Sequence, residues 1–196
     1  MANSRHETAF SQEPGSRKAS ILDAAITVFG TYGYRKTSVD DLAEAAQISK
    51  QGLYLHFASK DDIFLAALKK YLDDGLVLVE QALSTPKLPL LDRLTAAMDM
   101  WFGRHLVTFQ PAALDVIEAG DRMPSVQIEQ YKAALRGKLT AALSESNEFA
   151  KVRNVCTPKE IASVLFTFGL TWKDRPLSRA DFLKHVRLCI RACCQV

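Results

Sequence analysis

Lys50, Gln51 and Gly52 stand together just after Ser49, inside the stretch TSVDDLAEAAQISKQGLYLHFASKDDIF that runs from Thr37 to Phe64. Two long hydrogen-bonding side chains beside a residue with none suit close approach to base edges in a major groove. Tyr54 and His56 follow as polar-tipped rings, and Lys60 as a cation at a helix start, all suited to phosphate oxygens. The chemistry on offer is hydrogen bonding and charge, not bond making.

Two short helices and a tight turn must hold these groups. Thr37 and Ser38 each precede an aspartate by three positions, Asp40 and Asp41, in the pattern of a capping box, so a helix starts at one or the other. Val39, Leu42, Ala43 and Ala46 recur on its inner face. Gln47, Ile48 and Ser49 form the turn, Ser49 caps the second helix, and Leu53 and Phe57 anchor it to the core. Ser59 and Asp62 cap a long helix to about Leu83, with Ile63, Phe64, Ala67, Leu68, Tyr71, Leu72, Leu76 and Val79 inward. In front, a helix over Ser16–Tyr32 carries Ile21, Leu22, Ala25, Phe29 and Tyr32 inward and ends at Gly33.

This arrangement resembles the DNA-binding domain of the TetR family of transcriptional regulators. The resemblance rests on Thr37-Ser38, Ala45-Ala46-Gln47-Ile48-Ser49, Leu53-Tyr54, Phe57 and Lys60, and covers about Ser16 to Phe64; beyond that it rests on length and helical layout. It implies that Thr37, Tyr54, His56 and Lys60 hold backbone phosphates, that Lys50, Gln51 and Gly52 lie near base edges, and that Ser38 and Ser49 belong to the same DNA-binding surface. Gln47 departs from the family pattern, which has glycine in the turn. If φ is positive there, a non-glycine residue costs about 1 kcal/mol.

Bulk charge contributes little. The chain is +3 overall, and Arg17, Lys18, Arg35, Lys36, Lys50 and Lys60 against Asp23, Asp40, Asp41 and Glu44 leave only +2 from Ser16 to Lys60. Steering must come from a few placed cations. At 196 residues and 48% apolar content the chain can bury a sizeable core. No apolar run approaches a membrane span, and residues 1–15 lack the apolar centre of a secretory signal, so no membrane partner and a cytoplasmic location are expected. Those first residues read as a polar arm, and the resemblance offers Arg5 or Arg17 for minor-groove contacts.

Downstream, Leu91, Leu94, Met98, Trp101 and His105 mark a fifth helix to about Phe109, and Pro111 starts a short sixth. Ser125 begins a seventh, with Ile128, Tyr131, Leu135 and Leu139 inward. Thr157, Pro158 and Glu160 open an eighth through Ile161, Leu165, Phe168 and Trp172, and Ser178 and Asp181 cap a ninth, stapled by Leu177 and Phe182. Strand-like alternation is absent. The expected fold is all-α, about nine helices: an arm over residues 1–15, a three-helix helix-turn-helix domain over residues 16–62, and a helical bundle for ligand binding and dimerisation over residues 63–196.

No catalytic constellation is apparent, so an enzyme is not expected, nor a cofactor. His6, His56, His105 and His185 lack metal-ligand spacing, and no glycine-rich phosphate loop or nucleophile turn occurs. Large apolar side chains concentrate instead in the bundle. Periodicity leaves core filling open for them; the resemblance implies a small-molecule inducer cavity, with Met98, Trp101, Phe102, His105, Tyr131, Phe166 and Trp172 as its lining and His105 as its polar group. It also implies a homodimer built by the last two helices, for which Val164, Leu165, Phe168, Phe182, Val186, Cys189, Ile190 and Cys193 are available. The implied mechanism is repression of a palindromic operator in double-stranded DNA, released when an apolar inducer shifts the fourth helix. An activator or architectural helix-turn-helix protein without inducer, and a helical ligand carrier, stay open as alternatives. Cys189, Cys193 and Cys194, with Cys156 further back, suggest either oxidant sensing or small hydrophobes in the core.

Overall fold

In the computed structural model, residues 14–85, 87–109, 113, 115–151, 156–170 and 178–194 are described. Arg5, His6, Pro111, Trp172 and Leu177, and residues 1–13 of the expected arm, lie outside them. Among the described residues the chain is all-α, without strands. Helix α1 (Pro14–Tyr32) begins two residues before the expected start, with proline in its first turn, and is followed by α2 (Val39–Ala45), α3 (Lys50–Tyr54) and α4 (Lys60–Leu83). Then come α5 (Leu90–Met98), α6 (Asp115–Gly120), α7 (Ser125–Glu145), α8 (Pro158–Gly169) and α9 (Arg179–Cys194). None of the described helices is long and apolar enough to cross a membrane.

Two hydrophobic cores form, and α4 serves both. The first gathers Ile21, Ala25 and Phe29 of α1, Leu42, Leu53 and Phe57 of the helix pair, and Ile63, Phe64 and Ala67 of α4. Phe64 meets Phe29 at 5.2 Å and Tyr34 at 5.0 Å, both edge-on, a geometry that adds about 0.5–1.5 kcal/mol per pair beyond area burial. The second core lies among Val79 and Leu83 of α4, the inner face of α5, and α7, α8 and α9. Helix α6 packs on the first core through Val116 and Ala119, although about 50 residues separate it from α4's first turns.

Tyr32, expected inward, is instead 55% exposed, and Tyr34 is buried. Gly33 is the cause. Its φ of 85° stops α1 and turns the chain so that the second tyrosine, not the first, enters the core. A Cβ at Gly33 would collide with the carboxylate of Asp115, whose two oxygens accept the backbone N–H groups of Tyr34 (3.0 Å) and Arg35 (2.7 Å).

The fifth helix, expected to run unbroken, changes pitch. From Asp99 to Gly103 it is π-helical, with Arg104 N–H donating to the Asp99 carbonyl five residues back at 2.9 Å, and one more α-turn (His105–Thr108) follows. The carboxylate of Asp99 sits where a Cβ of Gly103 would be and accepts two bonds from the Arg179 guanidinium, at 2.8 and 2.6 Å, so the widened turn is tied to the start of α9.

Replacing Gly33 with Ala should lower unfolding free energy by more than about 1–2 kcal/mol, because left-handed backbone strain is joined by loss of the Asp115 carboxylate's seat. The urea midpoint measures this; an unchanged midpoint refutes it. Acid sensitivity is also set locally. Backbone and side-chain hydrogen bonds from Ser38 depress the Asp41 carboxyl, and those from Thr157 depress Glu160, below their ordinary values. Depressed folded-state values mean that the unfolded chain binds protons first, so this stabilisation is complete above about pH 5 and is lost as pH falls through the depressed values. Urea titrations should therefore show a decline below about pH 5 that is shallower in the Asp41→Asn, Glu160→Gln double variant.

Candidate nucleic-acid interface

Helix α2 starts at Ser38 rather than Thr37. The Ser38 hydroxyl accepts the Asp41 N–H at 3.1 Å while the Asp41 carboxylate accepts the Ser38 N–H at 2.7 Å, a complete capping box. The turn closes at Gln47, whose φ of 54° is the left-handed conformation for which the family pattern supplies glycine. Arg17 of α1 donates to the Gln47 carbonyl at 3.3 Å, which braces the strained residue and gives this arginine an internal partner. Ser49 then caps α3 by accepting the Gly52 N–H at 3.0 Å.

Only five residues long, α3 is fixed from beneath by Leu53 and Phe57, both buried. That anchoring sends Lys50, Gln51 and Tyr54 outward, with Gly52 and His56 half-buried between them. Leu55, 83% exposed, projects beside them and is a surface residue that motif reasoning passes over. The signal for it is its place outside the inward register of Leu53 and Phe57, and an exposed leucine here can meet sugars or thymine methyls. Lys50 forms an exposed ion pair with Asp40 at 2.9 Å, and the hydrogen bond to that carboxylate raises the lysine pKa.

Two expected phosphate ligands face inward instead. Thr37 is 2% exposed, and its hydroxyl donates to the Gly33 carbonyl at 2.6 Å. The Lys60 ammonium donates to the carbonyls of Tyr34 and Thr37, each at 3.0 Å, and lies 4.3 Å from the Tyr34 ring centroid. The carbonyls of the α1–α2 loop are the nearest acceptors to a cation at the start of α4, so these residues shape the loop in front of α2.

The same loop is held from the other side by α6. Besides Asp115, Glu118 pairs with Arg35 at 2.9 Å. Arg122, just beyond α6, pairs with Asp61 at 2.5 Å and covers the Tyr34 ring at 4.2 Å. Tyr34 donates its hydroxyl to Asp61; burial pushes the phenol pKa up, and the hydrogen bond holds the Asp61 carboxyl down.

A cavity of about 230 Å³ opens in the bundle, lined by Leu68, Tyr71 and Leu72 of α4, by Trp101, Phe102, His105 and Phe109, by Val116, Gly120 and Asp121, by Ile128, Tyr131 and Lys132 of α7, and by Phe166 and Leu170. Of the expected lining, Trp101, Phe102, His105, Tyr131 and Phe166 come together here. Met98 does not: it is fully buried in the second core, one turn before the widened helix carries the chain to the cavity wall. Tyr71 was missed as a lining residue because its place on α4's apolar stripe reads as plain core. Its hydroxyl lies 2.9 Å from His105 Nδ1, and burial raises its pKa.

On the last two helices the expected interface is corrected more broadly. Leu165, Phe182, Val186 and Ile190 are fully buried in the chain's own core, and Phe168, Cys189 and Cys193 pack half-buried against it. The strongest apolar stripe serves the bundle itself. Val164, at 46% exposure, and Leu188, at 53%, are the large apolar side chains left outside on α8 and α9. Burial pushes the Cys189 thiol up to about 11 and the Cys194 thiol to about 12, the opposite of what a thiolate sensor requires.

Lys60→Ala should lower stability by about 2 kcal/mol, since two charge-assisted hydrogen bonds to the loop are lost, whereas Tyr54→Ala should change it by no more than about 0.5 kcal/mol. Equal urea midpoints for the two variants would contradict the clamp assigned to Lys60.

Residues 21–67 match the profile of bacterial regulatory proteins, tetR family. The transcriptional activator FasR of Mycolicibacterium smegmatis is 38% identical over 86 residues, 44% of this chain and 39% of that protein. The transcriptional repressor KstR2 of the same organism is 36% identical over 78 residues, 40% of this chain and 38% of that protein. The chain thus spans about two-fifths of the length of these curated relatives. In fold the likeness extends further: a TetR transcriptional regulator from Streptomyces coelicolor superposes with a TM-score of 0.65 at 20% identity, over 90% of this chain and 97% of that one. Residues 21–67 thus carry the helix-turn-helix of the tetR family, and the described helices share the fold of solved TetR-type regulators.

Proposed function

We propose that the chain is a homodimeric transcriptional regulator that reads a palindromic operator with α3 and releases it when a small, largely apolar ligand fills the bundle cavity. The observation that carries this reading is the exposed row Lys50, Gln51 and Tyr54 on a short helix pinned by Leu53 and Phe57. Such a helix can enter a major groove as a rigid body, with Lys50 and Gln51 at base edges and Gly52 allowing close approach. Tyr54, His56 and the Ser38 and Ser49 caps then lie toward the sugar-phosphate backbone. Thr37 and Lys60 act through the loop they hold, not by touching DNA.

Two reading heads are needed because one helix contacting a few base pairs selects too weakly among genomic sites. The exposed Val164 and Leu188 supply the apolar centre of a self-complementary contact between copies through α8 and α9. We draw the boundary between the DNA-binding and regulatory parts within α4, near Ala67, where its side chains leave the first core. Release follows from α6, which lines the cavity with Val116 and Gly120 and holds the α1–α2 loop with Asp115 and Glu118. A ligand that moves α6 or α4 alters the spacing of the two α3 helices away from adjacent grooves, roughly 34–36 Å apart. Repression is the family expectation; relatives of both signs share this domain, and an activator would use the same interface. Work on chromosomal DNA puts the protein in the cytoplasm.

Selection of duplexes from a random pool at near-physiological salt tests the reading. The expected result is an enriched palindrome whose binding falls at least tenfold in Tyr54→Ala, a variant that keeps its fold. No enrichment above non-specific background overturns it.

A further inference from the structure

We infer that Leu55 is a specificity-determining residue of the DNA interface: its side chain rests on the C5 methyl group of a thymine about two base pairs from the base that Gln51 meets, and makes that thymine a required letter of each half-site. The inference rests on the proposed function and adds to it a contact that reads sequence without a hydrogen bond.

Direction comes first. Leu55 closes α3 with φ −69° and ψ −22°, still helical, and the Phe57 N–H donates to the Leu53 carbonyl at 3.2 Å, so the helical course runs on through these residues. At about 100° per residue the buried anchors Leu53 and Phe57 bracket one direction, and Leu55 points diametrically away from it. Gln51, also exposed, lies one turn earlier on the same outward face. Tyr54 flanks that face on one side and half-buried His56 on the other. With the anchored helix in a major groove, Gln51 and Leu55 therefore face the floor, while the two rings fall toward the walls where sugars and phosphates run.

Chemistry then chooses the letter. At 83% exposure Leu55 is the most exposed large apolar side chain among the described residues. It neither donates nor accepts a hydrogen bond, so phosphate oxygens and polar base edges gain nothing from it. Of the groups that the four bases present in the major groove, the thymine methyl is the apolar one. Contact there removes apolar surface of both partners from water, whereas over cytosine the leucine covers an amino donor and offers no acceptor.

Spacing sets the place. Four residues advance about 6 Å along a helix, close to two base steps of about 3.4 Å each. Loss of one such methyl contact weakens binding about fourfold, and loss of one in each half-site about fifteenfold.

Exchange of thymidine for deoxyuridine removes the methyl and leaves base pairing and every hydrogen-bonding edge intact, so it isolates this contact. The operator duplex selected from the random pool is remade with each symmetric pair of thymines exchanged in turn, and its affinity for the full chain is measured by fluorescence anisotropy. The expected result is one symmetric pair whose exchange weakens binding about fifteenfold. Leu55→Ala should weaken the unmodified duplex comparably, be indifferent to that exchange, and keep its urea midpoint because the side chain is exposed. Selection repeated with Gln51→Ala should relax a letter about two pairs from that thymine, and relaxation only of a distant letter overturns the placement. Indifference of the unsubstituted chain to every exchange, methyl sensitivity that persists in Leu55→Ala, or a selected half-site without thymine overturns the inference while the palindromic reading stands. So does a loss in Leu55→Ala that is equal for the selected duplex and for random DNA, which would mark a sugar contact. Absence of any enriched palindrome overturns the proposed function, and this inference with it.

Discussion

The carboxylate of Asp115 accepts two backbone amides of the α1–α2 loop, and the relation between the two halves of the molecule depends on that contact. Loop amides not bonded within a helix must find acceptors if they are to be removed from water. Here the acceptor lies some eighty residues away, on a helix that belongs by its other face to the bundle cavity. Gly33 makes the approach possible by lacking a Cβ and by adopting positive φ. Tyr34 adds to it, with Lys60 and Arg122 against its ring and Asp61 on its hydroxyl. Exposed ion pairs such as Arg35–Glu118 contribute little energy alone, but here they fix direction around a part-buried hydrogen-bonded centre.

Helix α4 carries the same relation by packing. Its first turns belong to one core and its last to the other, and Tyr71 sits between, touching His105 and Phe109. Contact at Gly75 is close enough that a Cβ would meet Trp101 and Arg104 at 3.2 Å, so the helix and the π-helical segment bear directly on each other. A rigid α4 and an α6 strap therefore form two connections from one cavity to one loop. A ligand that alters either works against the other, and a two-state response is favoured by such a closed linkage.

Much of this was legible in the sequence, because it is written in local rules. The capping boxes at Ser38 and Thr157, the cap at Ser49, the turn at Gln47 and the reach of α4 all depend on residues within four positions of one another. Misreadings came where a contact or a backbone angle that periodicity does not encode decides. Thr37 and Lys60 look like surface ligands, but in the structure their side chains donate to carbonyls of the α1–α2 loop. Leu165, Phe182, Val186 and Ile190 form apolar stripes with nothing in their periodicity to tell an internal face from one shared between copies. Met98 and Trp101 share a helical stripe, yet the π-helical residues between them part their environments. Tyr32 and Tyr34 are the same residue type two positions apart, and the backbone angle of the glycine between them decides which one is buried.

If α3 reads DNA as proposed, the ion pair between Lys50 and Asp40 bears on its selectivity. A cation on a reading head usually surrenders its mobile counterions to the salt solution when it meets DNA, and that release favours any sequence alike. Lys50 instead carries a fixed counterion belonging to the fold. Leaving it gains no entropy from dispersal, and Asp40 stays behind to repel the nearby phosphates. On a duplex with no acceptor edge in reach of the ammonium, nothing compensates for that repulsion. On the DNA reading proposed above, the pair would handicap indiscriminate sliding contacts more than the cognate one, so that a nearly neutral domain would discriminate by what it withholds from the wrong sequence.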